Sequence, residues 1–433
     1  ITIYAPAIIL STILGWNLNL LNFIIGTLVV IYTVSGGTKA VNVTQKQQMF
    51  IIMVGMFMAF FVILDSLPEQ VTFTKAMNIA GAAEKLNLLD FSFNIESRYT
   101  FWSGIAGGLF LSLSYFGTDQ SQVQRYLSGK SIKESQLGLL FNGALKVPMQ
   151  FFILLVGVMV FVFYQFTSSP IFFNQATLTK LKESPAAEAI IQLEARNQTI
   201  FKQKTQLLNL VSANETMEMT PGIKTEYGLL LSQEKEIRQE VKNLVDTHLP
   251  GEESNDKDYV FISFILAYLP KGLIGLLLAV IFSAAMSSTA SELNALSTTT
   301  TVDIYRRSIN PSESDAHYVK ASKWLTVLWG LIAISFACFG TLFENLIQFV
   351  NIIGSVFYGT ILGIFLIAFY FKEIKANAVF YAALVSEVLV IAIFFMDIIG
   401  YIWLNAIGCF FVIIFSYLFR FILSDRDSPY EPS

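Results

Sequence analysis

The sequence predicts an all-α, polytopic membrane protein, and three observations carry that expectation. The chain of 433 residues is 54% hydrophobic and only 14% charged, where ordinary globular domains carry about 25% charged residues. The charge is also unevenly spread, because residues 167–258 hold 24 of the 60 charged side chains and leave 36 for the other 341 positions. Through that remainder run uninterrupted apolar stretches long enough to cross hydrocarbon as helices, in place of the ~10-residue alternating segments of a barrel.

Taken in order, residues 1–14 are too short for a span and read as the tail of a helix that begins before Ile1. Full spans follow at about 18–35, 48–67, 100–119, 138–166, 271–301, 322–340, 344–370, 376–397 and 399–422, giving nine spans and one partial helix. The expected organisation is therefore helices over 1–166, an extracytoplasmic insert over 167–258, helices over 259–423 and a cytoplasmic tail over 424–433. Ile1 is not preceded by a methionine, a basic region or a cleavage site, so no signal peptide is read here.

Orientation follows from lysine and arginine in the short loops. One set of loops holds Lys39, Lys46, Arg125, Lys130, Lys133, Arg306, Arg307, Lys320, Lys323, Lys372, Lys375, Arg420 and Arg426, and the opposite set only Lys75, Lys85 and Arg98. Every basic loop falls on one side when the segments alternate. This places the C-terminus in the cytoplasm of a plasma (inner) membrane and residues 167–258 outside. That insert carries 10 basic and 14 acidic residues. Leu230, Ile237, Val241 and Leu244 recur at helical spacing, and Ala186–Val211 is also helix-prone, so a helical hairpin closing near Pro221 and Gly222 is expected. Asn197 and Asn214 head glycosylation sequons on the outer side, of a kind that chance also supplies.

Several functions are excluded. A net charge of -4 without a basic run argues against nucleic acid. Cys338 and Cys409 lie in apolar runs as small buried hydrophobes, and His248 and His317 are far apart, so neither a zinc site nor histidine chemistry is expected. The hydrolase and metalloprotease motifs of an intramembrane enzyme are absent from the sequence.

The informative residues are polar ones inside apolar helices, where they mark either a pathway or a packing contact. In the 271–301 run, Ser283, Ser287, Ser291, Asn294 and Thr298 form one stripe at spacings of four and three. Ser287 and Ser288 are adjacent hydroxyls with the Ala284 carbonyl one turn before, a neutral oxygen set suited to a hard monovalent cation. The same small residues also suit close helix packing, and spacing alone leaves both readings open. Lys146, followed by Pro148, is an ammonium deep in a span, either paired structurally or contacting a solute; Glu387 is a similar anomaly. Tyr115 and Phe116 beside Gly117 end another span, as a gate or as interfacial aromatics.

The stretch LPKGLIGLLLAVIFSAAMSS from Leu269 to Ser288, continuing through Leu293–Thr298 to Asp303–Tyr305, resembles the signature helix of the solute:sodium symporter family. Tyr115–Gly117 with Gln124–Arg125, the Gly36–Gly37 turn with Ala40–Val41, and the Leu145–Lys146 pair extend the resemblance over nearly the whole chain outside the insert. It implies a LeuT-type five-plus-five inverted-repeat core with extra C-terminal helices, alternating access and a midplane solute site. On the matching positions, Ala284, Ser287 and Ser288 hold sodium, Tyr115 is an inner gate beside Phe116, and Lys146 and Ser112 lie near the solute. The implied partners are sodium, the bilayer and a small organic solute of the sugar, sialic acid, carboxylate or vitamin class, with no organic cofactor and no catalysis. In relatives with a second sodium, an aspartate and a serine stand where this chain has Gln45 and Ala290. Family members also have helices upstream, including an unwound first core helix, so the natural protein is expected to be longer than residues 1–433. The alternatives are a proton-coupled transporter of the same fold and a symporter-like sensor domain.

Overall fold

The computed structural model describes residues 2–35, 39–87, 89–127, 131–212, 219–338 and 346–423, with the side chains of 39–46, 124, 125, 127, 346, 347 and 349 excepted. Gly36, Gly37, Lys130, Asn214 and the tail 424–433 lie outside the described residues, as do the side chains of Lys39, Ala40, Val41, Gln45, Lys46, Gln124 and Arg125. Among the described residues, every regular element is helical.

In chain order the first helices are α1 (Tyr4–Leu14), α2 (Leu18–Ser35), α3 (Lys39–Ser66), α4 (Phe73–Ala82), α5 (Phe101–Gly117), α6 (Gln120–Leu127) and α7 (Ile132–Phe166). Next come α8 (Gln175–Lys182), α9 (Ala187–Ser212), α10 (Pro221–His248), α11 (Val260–Tyr268) and α12 (Lys271–Thr299), which runs on into a π-helical segment, Thr300–Ile309. The chain closes with α13 (Asp315–Cys338), α14 (Leu346–Tyr370), α15 (Ala376–Met396) and α16 (Leu404–Ile422). Local chemistry sets the boundaries. Thr100 begins α5 in a capping box with Ser103, and Pro221 occupies the first turn of α10, where its missing N–H costs nothing. Gly15 ends α1 at φ 67°, a left-handed cap natural to glycine.

Eight described helices are long and apolar enough to cross a membrane, so this is a multi-pass membrane protein. The span expected over 100–119 is realised as the 17-residue α5, which rises about 25 Å, somewhat short of a ~30 Å hydrocarbon core. The span expected over 138–166 begins earlier, and Pro148 is accommodated inside the continuous α7.

The chain forms two compact units. The first comprises Ile1–Asn87 and Leu140–Leu346. Its core gathers Ile63, Met159, Phe163 and Phe264, and α3 lies against α12 with the Leu277 side chain seated where a Cβ on Gly55 would be 2.3 Å away, so a larger residue there would require Leu277 to shift. The amphipathic α9 and α10 run antiparallel, burying Ile190, Leu193, Ile200, Leu230, Ile237 and Val241, with Lys204 paired to Glu234 at 2.6 Å and Arg196 to Glu240 at 3.2 Å. Pro221 and Gly222 are the first residues of α10. This helix pair is tied to α7 and α4 and to its own flanking segments: buried Tyr227 donates to Gln165 Oε1 at 3.1 Å, Lys75 Nζ donates to Ser212 O at 2.8 Å, and buried Asp256 accepts from Phe173 N and Arg238 Nη2. Asn197, read as a sequon, is buried inside α9 and donates to Ser169 O at 3.4 Å, a position a transferase cannot reach in the folded chain.

The second unit comprises Leu88–Leu139 and Ile347–Ser433. Here α14 approaches α16 so closely that a Cβ on Gly359 would stand 2.3 Å from Asn405 O, and Asn405 Nδ2 donates to Ser355 Oγ at 2.8 Å. On α15, Glu387 is half-buried and faces the buried Thr360 hydroxyl of α14.

Candidate cation site on α12

The oxygen set anticipated on α12 lies in the first unit. Ser287 is buried and its hydroxyl donates to Ala284 O at 3.0 Å, while Ser288 beside it is half-buried. A serine whose proton is spent on the preceding turn keeps its lone pairs for a cation, while the Ala284 carbonyl accepts both that hydroxyl and the helical N–H of Ser288. The group is thus two hydroxyls and one carbonyl on a single turn, free of net charge. Such oxygens replace part of a cation's water shell without burying an anion.

Two neighbours flank this turn. On one side Gln48 Nε2 of α3 donates to Ser283 Oγ at 2.7 Å. On the other, Thr289 Oγ1 stands 2.6 Å from Thr2 Oγ1 and 2.9 Å from Ala285 O. With one hydroxyl proton each, Thr2 donates to Thr289 and Thr289 to the carbonyl. Helix packing claims other hydroxyls of α12, since Ser297 is bonded to Ser322 of α13 at 2.7 Å. Gln48, Thr2 and Thr289 were not singled out by the sequence reading, because one glutamine near the end of an apolar run has no periodic signal.

The second unit holds Ser112, Tyr115 and Phe116 on α5. Ser112 is exposed; the rings of Tyr115 and Phe116 meet edge-on with centroids 5.0 Å apart. Their helix end is fixed by buried Ser114, which donates to Tyr358 O at 2.9 Å, and by Tyr126, which donates to Phe116 O at 2.8 Å. Asp119 accepts from Tyr358 Oη at 3.1 Å and from Ser121 N at 2.9 Å, capping α6. Lys146 belongs to the first unit, near the middle of the 35-residue α7, and is exposed there.

Outside the spans, a cavity of about 260 Å³ is lined by Ser11, Asn17, Asn174, Asp246, Glu252 and Glu253. Tyr4 Oη lies 3.4 Å from both oxygens of Glu253. Desolvation, reinforced by the charge of Asp258, pushes the Glu253 carboxyl up to about 7. Glu252 and Asp256 each have a cation, Lys180 and Arg238, whereas the groups bonding Glu253 are phenols.

Comparison with known proteins gives a consistent result. The sodium:solute symporter family model matches residues 1–196 and 241–386. The chain is 35% identical to the human sodium/iodide cotransporter over 166 residues, which is 38% of this chain and 25% of that protein. It is 26% identical to the mouse sodium-coupled monocarboxylate transporter 2 over 375 residues, 87% of this chain and 48% of that protein. A solved substrate-bound, outward-open structure of a Na+-coupled sialic acid symporter superposes with a TM-score of 0.66 at 21% identity, covering 97% of this chain and 70% of that one. The likeness establishes the LeuT-type fold. Along the length of the monocarboxylate transporter, the chain spans about half.

Proposed function

This chain belongs to the sodium:solute symporter family, and from that premise we propose that it couples sodium entry to the import of a small organic solute by alternating access. The observation that carries the reading is the Ala284–Ser287–Ser288 oxygen set on α12, an uncharged site suited to sodium. Sodium held there stabilises the outward-open conformers that accept solute. Each ligand then raises the other's affinity by the same factor, which is all that coupling requires.

Tyr115 and Phe116 act as the inner gate, on an elbow held by Ser114, Tyr126 and Asp119. Ser112 and Lys146 serve the solute. An ammonium near the middle of a span favours a solute that carries a carboxylate, in keeping with the monocarboxylate and sialic acid substrates named for two of the similar proteins. The chain lies in a plasma membrane with its C-terminal end cytoplasmic and residues 167–258 outside. Uptake into proteoliposomes, with sodium replaced by choline and a panel of monocarboxylates, sialic acid and sugars, tests this. Uptake that survives choline but follows a proton gradient overturns sodium coupling.

A further inference from the structure

We propose that Gln48 is a positioning residue for the cation site, holding the Ala284–Ser288 turn in register from α3 through the Ser283 hydroxyl. This rests on the reading of that turn as the sodium site.

Ser283 and Ser287 stand four residues apart and so share one face of α12, one turn from each other. Gln48 therefore reaches α12 on the face that carries the coordinating hydroxyl. Its amide is buried, with Nε2 2.7 Å from Ser283 Oγ. Another close approach between these two helices, Leu277 on Gly55, is apolar and non-directional, and so constrains rotation and register less sharply than a hydrogen bond. The directional hydrogen bond from Gln48 to Ser283 adds that constraint.

The turn is held at both ends. Ser283 immediately precedes Ala284, and Thr289, immediately after Ser288, is fixed by Thr2 and by its own bond to Ala285 O. The Ala284 carbonyl is already shared with the Ser287 hydroxyl. A rotation of the turn would move carbonyl and hydroxyl together away from the ion. Neutral oxygens offer no long-range charge to compensate for poor geometry, so a site of this kind depends on such orienting contacts more than a carboxylate site does. Removing a partner that orients metal ligands typically weakens the metal about 10–100-fold.

The test uses the intact protein in proteoliposomes and reads sodium half-saturation against maximal rate. Gln48→Met, close in volume, should raise the sodium concentration for half-maximal uptake by about tenfold, with the maximal rate at saturating sodium lowered less than about twofold. Ser283→Ala should do the same, and the double variant should be no worse than either alone, because both remove one contact. Gln48→Glu, whose carboxylate accepts from the Ser283 hydroxyl, should restore most of the affinity. Ser288→Ala is the reference for the site itself. If Ser288→Ala shifts sodium dependence but Gln48→Met and Ser283→Ala do not, the positioning role is wrong and the site stands. If Ser288→Ala shifts nothing, the site is wrong and the positioning role falls with it. Effects of Gln48→Met and Ser283→Ala that multiply, or a loss confined to maximal rate, also overturn the proposal. Should Gln48→Met fail to fold, Ser283→Ala and Gln48→Glu decide the matter.

Discussion

At the scale of single residues, two side chains give sharp expectations. Ser288 adjoins the buried Ser287–Ala284 bond but is itself half-buried, so its hydroxyl can be removed with little effect on packing. Ser288→Ala should raise the sodium concentration for half-maximal uptake by about tenfold while leaving surface expression intact, as checked by sodium titration of uptake. Glu253 makes a pH prediction whose sign is fixed by its environment. Its carboxyl is raised from 4.5 to about 7 in the folded chain, so the folded state binds more protons than the unfolded one within that window. The contribution to stability is therefore present at low pH and is lost as pH rises through about 5 to about 7. The melting temperature of the purified protein should fall over that interval, and Glu253→Gln, which cannot ionise, should flatten the fall. An unchanged slope in the variant would mean that Glu253 is not the titrating group.

At the scale of elements, the spans were legible because a run of apolar residues near the length of the bilayer has few alternatives. Boundaries were less so: α7 begins at Ile132 because the polar residues ahead of the apolar run, Lys133 to Gln136, continue the helix without interruption. The serine stripe was legible as a stripe, yet its division of labour was not. Ser297 serves α13 and Ser283 serves α3, and those partners lie in other parts of the chain, beyond the reach of local periodicity. The same limit hid Lys204, an ordinary surface lysine by sequence. The fold leaves it 1% exposed against Glu234 at 2.6 Å. Breaking a buried pair strands its partner, so Lys204→Ala should lower stability by about 3 kcal/mol, whereas Lys204→Met with Glu234→Leu should cost far less. Thermal unfolding followed by fluorescence separates the two. For the insert as a whole, the proposed orientation puts α9 outside, on the strength of the basic-loop asymmetry. In a Cys338→Ala, Cys409→Ala background, Gln198→Cys should react with an impermeant maleimide in intact cells and Lys133→Cys should not. The reverse labelling pattern would reject the orientation.

At the scale of the whole molecule, the proposed sodium coupling turns on how many sodium ions drive each solute. The resemblance places a second ion between an aspartate on the third helix and a serine on the sodium helix; this chain has Gln45 on α3 and Ala290 on α12. Ala290 is buried and presents only a methyl group. A second cation here would lose both its anion and one hydroxyl, and uncharged oxygens alone would have to meet the cost of dehydration. One sodium per solute is therefore expected. Hill slopes understate stoichiometry when sites differ in affinity, so the measurement is the reversal of flux in proteoliposomes with the membrane potential clamped at zero. Each tenfold sodium gradient supplies about 1.4 kcal/mol per ion. With one ion, a tenfold inward sodium gradient is balanced by a solute gradient of about tenfold in the opposite direction; with two, balance requires about a hundredfold. Balance near a hundredfold would show that a second ion binds despite Gln45 and Ala290, and would move the search for its ligands to other oxygens of the α12 stripe, beginning with Ser291 and Asn294.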